Sequence, residues 1–372
     1  MAAAALRFPP LLSSCATPTT TAATCTRRTA SATLRVAAQP GSAPASASTS
    51  TSDGPPEFSP PDGFTPPVPR RLAIKDGQLG SVAGAALAVP FRLGTGLFVQ
   101  GYSVSLVSAD KIPADQYSLE FLGLKVRETS KIDQCCRPEK PIEIYEFEGY
   151  PFCRKVNIVL VYHVCILYLA FFMYGQPWCF CHVKFQVREM VAVLDLDVLF
   201  YPCPQKGPTF RPKVLEMGGK KQFPYMVDPN TGVAMYESDD IIKYLADTYG
   251  DGTIPIMLSL GLFTTITAGL AMIWRIWKGS SYTVSKLPPQ PIEIWAYEGS
   301  PFCKIAREAL VELELPHLLH SCARGSPKRQ EIFKKLGLFQ VPYIEDPNTG
   351  VKMFESSEIV EYLKATYSLY PQ

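Results

Sequence analysis

The sequence predicts an α/β protein made of two tandem copies of one β-α-β-α-β-β-α domain, joined by an apolar helical linker. Two observations carry this. Residues 141–155, PIEIYEFEGYPFCRK, recur at 291–305 as PIEIWAYEGSPFCKI with nine of fifteen identical, and residues 223–249 recur at 341–367 with sixteen of 27 identical. Within each copy, stretches of alternating apolar residues are interleaved with stretches of helical period.

Each element follows from local chemistry. Pro-Ile-Glu-Ile-Tyr/Trp alternates as a first strand, and Pro151 or Pro301 opens a helix, where a missing N–H costs nothing. Val198–Tyr201 and His317–His320 read as the second strand, and a short helix follows. Asp-Pro-Asn-Thr-Gly turns a hairpin in both copies. Ser238 and Ser356 read as N-caps of amphipathic helices Asp239–Tyr249 and Ser357–Tyr367.

Composition narrows the class. Apolar residues make up 47% and charged residues 19%, which suits a packed core. A net charge of +2 offers no basic field for nucleic acid. Residues 1–52 hold Arg7, Arg27, Arg28 and Arg35 but no acid, and are rich in Ser, Thr and Ala. That composition reads as an organellar transit peptide of plastid type, followed by a Pro-rich linker up to residue 70. The expected location is the chloroplast, in the stroma or at the thylakoid.

The motif set x-Pro-Phe-Cys after the first strand, x-Pro-Tyr before the hairpin, and Glu-Ser opening the last helix resembles the thioredoxin-like N-terminal domain of glutathione S-transferases, and glutaredoxins. The resemblance implies cis bonds at Phe223-Pro224 and Val341-Pro342, lining a thiol site. It also implies that Glu237, Ser238, Glu355 and Ser356 hold the γ-glutamyl end of glutathione. A helix N-terminus with free N–H groups is a ready site for such a carboxylate, although a Glu-Ser pair is also an ordinary helix opening.

The copies differ at one place. Cys153 and Pro224 are 71 positions apart, Cys303 and Pro342 only 39. Aligning Val187-Arg188-Glu189 with Ala306-Arg307-Glu308 assigns the excess to the 31 residues Val156–Gln186. Without them Cys203 falls 19 positions after Cys153, as Cys322 does after Cys303. The stretch interrupts the first-copy helix about one turn in, and its Phe, Ile, Leu, Val, Tyr and Cys use U-rich codons. We read it as a retained in-frame intron; the competing reading is a transmembrane helix, since Val156–Val183 lacks Asp, Glu and Arg and Lys. The metal-like run Cys179-Phe180-Cys181-His182 is discounted with it, and no metal is expected.

The chemistry that remains centres on Cys153, Cys303 and Ser300. Dithiol glutaredoxins place their nucleophilic cysteine where this chain has Tyr150 or Ser300, so only the second, resolving-type cysteine is retained. Two routes stay open. Cys203 and Cys322 end the second strand on the same sheet edge as the first turn, so Cys153–Cys203 or Cys303–Cys322 is a candidate redox pair; the alternative is two unrelated buried thiols. Ser300 also matches the position at which serine-type transferases hold the glutathione thiolate. A complete transferase is not expected, because the family's electrophile pocket needs an all-helical domain and only 251–287 separate the copies. His317 and His320 read as structural, and Gly94-Thr95-Gly96 lacks the third glycine of a phosphate loop.

Gly252–Trp274 carries no formal charge over 23 residues, enough to span a bilayer, yet it holds four threonines, Gly261 and Gly269. We read it as a helix packed on the two domains, with membrane association through 252–274 as the alternative. The expected organisation is 1–70 transit peptide and linker, 71–138 a segment of no assigned fold, 139–250 domain one with the 156–186 insertion, 251–287 linker, and 288–372 domain two. The functional expectation is a glutathione-binding or thiol-disulfide exchange protein, acting on glutathione or protein thiols. The alternative is a non-catalytic thioredoxin-fold interaction module.

Overall fold

The computed structural model describes residues 58–70, 74–113, 115–121, 123–147, 184–275 and 278–370, all within the unit Ser52–Gln372. Residues 1–57, where a transit peptide is expected, Tyr150, Pro151, Cys153 and residues 156–183 of the insertion lie outside the described residues. The segment without an assigned fold forms α1 (Leu79–Ala86), α2 (Ala88–Phe91) and a small antiparallel sheet of β1 (Ser103–Ser108), β2 (Leu119–Phe121) and β3 (Leu124–Thr129), in the order β1-β3-β2.

The first copy then runs β4 (Ile142–Glu146), α3 (Lys184–Val193), β5 (Asp197–Pro202), α4 (Phe210–Gly218), β6 (Tyr225–Asp228), β7 (Val233–Met235) and α5 (Ser238–Tyr249). The joint holds α6 (Ile256–Ser259) and α7 (Leu262–Met272). The second copy repeats the order with β8 (Ile292–Ala296), α8 (Pro301–Glu312), β9 (His317–Ser321), α9 (Lys328–Leu336), β10 (Tyr343–Glu345), β11 (Lys352–Phe354) and α10 (Ser356–Tyr367). Both copies are thioredoxin-like: the first two strands pair in parallel and the last two antiparallel. Lys184–Gln186, the last three residues of the insertion, form the first turn of α3.

Eight strands make one continuous sheet, in the order β11-β10-β8-β9-β5-β4-β6-β7. The seam is antiparallel pairing of the two second strands, with Val198 opposite Leu319 and Phe200 opposite His317. An unpaired edge strand offers a row of free backbone groups; here the two copies cover each other's. Side chains reinforce the seam. The His317 ring stacks on Phe200 at 5.5 Å, and Asp197 meets His320 Nδ1 at 3.4 Å and Lys328 Nζ at 2.6 Å. Burial alone would raise the Asp197 pKa, but His320 and Lys328 outweigh it and hold the carboxyl below its usual range. Leu319 packs against both cores.

The hairpin aspartates are hubs. Asp228 Oδ2 accepts from the Tyr244 and Tyr249 hydroxyls at 2.6 Å each, and Asp346 Oδ2 accepts from Tyr362 at 2.5 Å and Tyr367 at 2.6 Å. The other oxygen of each accepts from the backbone N–H of Asn230 or Asn348 at 2.9 Å. Each hub ties its turn to the helix that follows.

Two sequence expectations change. Ser238 and Ser356 are the first helical residues, not N-caps; Glu237 and Glu355 take the cap position with left-handed φ of 62° and 72° and make no capping bond. The 252–274 segment is two short helices, and α7 packs mainly on α1 and α2 rather than on the two domains. Its eleven residues reach about 16 Å, roughly half a bilayer core. Among the described residues no helix is long and apolar enough to cross a membrane.

Arg92 of the N-terminal segment is buried as a bidentate partner of Glu189 on α3, at 2.8 and 2.6 Å. It also donates to Thr264 O, Thr267 Oγ1 and Met257 O in the joint. Arg275 does the same for the second copy. It pairs with Glu308 on α8, at 2.6 Å from Nε, and donates to Ser81 O at 2.8 Å. The two segments outside the repeat thus clamp the two active-site-type helices through matching Arg–Glu pairs.

Candidate functional site

The second copy shows the site elements in full. Ser300 caps α8: its Oγ accepts from the Cys303 N–H at 3.3 Å, and Pro301 stands at the first helical position. Cys303 is completely buried, and burial pushes its thiol up to about 11 against smaller opposing pulls from the Ser300 hydroxyl and the Tyr297 backbone. Cys322, just past β9, is also fully buried and its Sγ donates to Ala296 O at 3.6 Å. Burial drives its pKa far upward, and a thiolate at Cys303 would raise it further. The two thiols thus gather at the end of β8, as their spacing implied, but as protonated groups. Among the described residues Cys135, Cys303 and Cys322 are free thiols.

Phe223-Pro224 and Val341-Pro342 are both cis. Beside each lies an arginine that the sequence reading missed. Arg211 Nε donates to Cys203 O and Pro204 O at 3.0 and 2.6 Å, and its guanidinium covers the Phe147 and Phe223 rings. Arg329 Nε donates to Cys322 O and Ala323 O, both at 3.0 Å, and covers the Phe339 ring. Both arginines stand thirteen residues before the cis proline, a recurrence visible in the repeat itself.

Glu355 and Ser356 sit at the N-terminus of α10, and Glu355 Oε1 accepts from Gln340 Nε2 at 2.8 Å. The first copy repeats the pair as Gln222 Nε2 to Glu237 Oε1. These glutamines, two residues before each cis proline, were also missed. The surroundings of the two carboxylates differ. Glu237 is exposed, and beneath it Ser238 is buried with its Oγ unpartnered. Glu355 is buried, and the Arg70 backbone N–H donates to its Oε1 at 2.6 Å.

The rest of the N-terminal segment also bears on the second copy. The rings of Phe58 and Phe64 lie 5.2 Å from those of Tyr367 and Tyr362, and Arg70 and Lys75 pair with Glu358 and Glu361 on α10. At the Ser300 turn, Gly96 O accepts from the Gly299 N–H at 3.4 Å, and Leu97 O accepts from Arg324 N–H at 2.8 Å. A Cβ on Gly299 would fall 2.5 Å from the Leu97 side chain and 3.2 Å from its Cα, so only glycine permits this approach. Gly94–Gly96, discounted as a phosphate loop, belongs to this contact.

The glutathione S-transferase N-terminal domain family matches the chain twice, over residues 177–253 and 295–371. The chain carries two glutathione S-transferase N-terminal domains in tandem. No curated protein and no solved structure matches it. The transferase-type domains support a glutathione-related or thiol-redox type of function. Of the expected site residues, Phe223, Pro224, Glu237 and Ser238 belong to the first domain, and Ser300, Cys303, Val341, Pro342, Glu355 and Ser356 to the second, where Ser300 meets Cys303; Cys153 lies outside the described residues. Among the described residues no group of three or more side chains could hold a metal ion.

Proposed function

We propose that the chain binds glutathione through the Glu-Ser pairs at the N-termini of α5 and α10. The observation that carries this is the duplicated carboxylate geometry: cis proline, glutamine amide and a left-handed glutamate at a helix N-terminus recur in both domains. The γ-glutamyl end of glutathione is a zwitterion. Its ammonium suits Glu237 or Glu355, and its carboxylate suits the free helix N–H groups and the serine hydroxyl. The unpartnered Ser238 Oγ supplies a donor of that kind in the first domain.

Thiol-disulfide exchange at Cys303 is the less favoured part of the reading. A thiol held at about 11 is almost wholly protonated at neutral pH, and the thiolate is the nucleophile. The same observation favours the second reading, a non-catalytic interaction module. Retention of the full chain on immobilised glutathione, with elution by free glutathione and loss on joint replacement of Glu237 and Glu355 by Gln, supports binding. Equal passage of wild type and variant through the column sinks it and favours the interaction module.

We place the protein in plastids on the acid-free, Ser/Thr/Ala-rich composition of residues 1–52. A reporter fused to residues 1–70 should enter plastids, and cytosolic fluorescence would overturn that assignment.

A further inference from the structure

The two domains present one ligand geometry in two states, and the difference lies outside the repeat. In the first domain Glu237 is exposed and Ser238 Oγ has no partner. In the second domain Phe58, Phe64, Arg70 and Lys75 lie against α10, with two aromatic rings on Tyr362 and Tyr367, two cations on Glu358 and Glu361, and a backbone N–H on Glu355. We infer that residues 58–70 are a resident peptide ligand of the second domain, docked where a free γ-glutamyl ligand would bind. This rests on the glutathione reading proposed above.

The chemistry of the contact argues for competition. A backbone N–H and a ligand ammonium are both donors to a carboxylate, and Arg70 takes Glu355 Oε1 at 2.6 Å while Gln340 holds the same atom at 2.8 Å. Two donors already sit on that oxygen, so an ammonium that binds Oε1 must displace one of them. The flanking contacts make Arg70 the stationary competitor: Phe58 belongs to the core of the second domain, and the Arg70 guanidinium reaches Glu358. The first domain's Glu237 receives Gln222 but is open to solvent, so free ligand enters there first.

The test uses the full chain, with amide resonances followed during titration with glutathione. In wild type, the Glu237 and Ser238 amides should shift at concentrations that leave Glu355 and Ser356 unmoved. Arg70→Pro removes the donating N–H and should tighten binding at Glu355 and Ser356 by about tenfold or more, the scale of a hydrogen bond to a charged group. Arg70→Ala keeps that N–H, loses only the half-exposed ion pair, and should change binding by about threefold or less. Hydrogen exchange gives a second reading that does not depend on the proline variant folding: the Arg70 amide should be protected in wild type and lose protection in Glu355→Ala and at saturating glutathione. Equal binding at both domains in wild type with Arg70 protection intact overturns the inference and leaves the glutathione reading standing. Shifts at neither domain in wild type or Arg70→Pro overturn the glutathione reading, and the competition with it.

Discussion

The two domains are built from nearly the same residues, and the first is open where the second is covered. Both have the cis proline, the glutamine-to-glutamate bond, the arginine over the cysteine carbonyl and the aspartate hub with two tyrosines. What separates them comes from the chain on either side of the repeat. Residues 58–70 and 96–99 cover the second domain at Glu355 and Gly299, and no described residue does so at Glu237. Duplication thus reproduced the site, and the unrepeated segments decide which copy meets solvent. The same segments hold the helices: Arg92 pairs with Glu189 and Arg275 with Glu308, one guanidinium per domain.

That symmetry of clamps gives the largest expected effect. Arg92→Met leaves Glu189 buried without its guanidinium and should cost about 3–5 kcal/mol, the usual penalty for breaking a buried pair. Arg275→Met should cost a similar amount through Glu308, and restoring neutrality with Glu189→Gln should recover part of the Arg92 loss. Denaturant unfolding monitored by circular dichroism reads each, and losses under about 1 kcal/mol would mean that the pairs are not clamps.

Thiol reactivity comes next. At pH 8 a thiol with a pKa of about 11 is roughly a hundredfold less ionised than an ordinary one. Cys303 and Cys322 should therefore be alkylated at least about a hundredfold more slowly than exposed Cys136 in the native chain. Peptide mapping after a timed iodoacetamide pulse checks this; labelling of Cys303 as fast as Cys136 would restore it as a reactive thiol. The sign of the linked stability is fixed. Folding raises the Cys303 pKa, so its contribution is full below about pH 8.5 and is lost as pH climbs through about 11.

The smallest effect lies at the first hub. Burial alone would raise the Asp228 pKa, but the bonds from Tyr244, Tyr249 and Asn230 outweigh it and hold the carboxyl below 3.8. A group lowered by folding stabilises above its unfolded pKa, and that stability disappears as pH falls through the folded value. Asp228→Asn should therefore flatten the acid limb of the stability curve below about pH 4. An unchanged acid limb in urea unfolding across pH 2–5 would remove Asp228 from the account.

How much of this was legible follows from range. The strands, the Asp-Pro-Asn-Thr-Gly hairpins, the helix opened by Pro301 and the gathering of Cys303 with Cys322 rest on near neighbours or on the repeat, and the sequence showed them. The serines were placed one residue early, because the cap depends on a left-handed backbone at Glu237 and Glu355 that a glutamate's side chain does not announce. The partners of Arg92 and Arg275 were not legible, since a charge beside an apolar run reveals its partner only when a distant helix is packed on it. The β5–β9 seam and the Arg70 contact join residues more than a hundred positions apart, and local pattern holds no trace of either.

The central claim is that the Glu-Ser pair at each helix N-terminus holds glutathione, and calorimetry on the full chain tests it most directly. With Arg70→Pro as the background, replacing Glu355 and Ser356 by Ala should weaken binding at the second domain by about 1–3 kcal/mol, the worth of charge-assisted hydrogen bonds. Replacing Glu237 and Ser238 as well should abolish the remaining heat. No heat at millimolar glutathione in the background chain, or undiminished heat in the fourfold variant, would contradict the account.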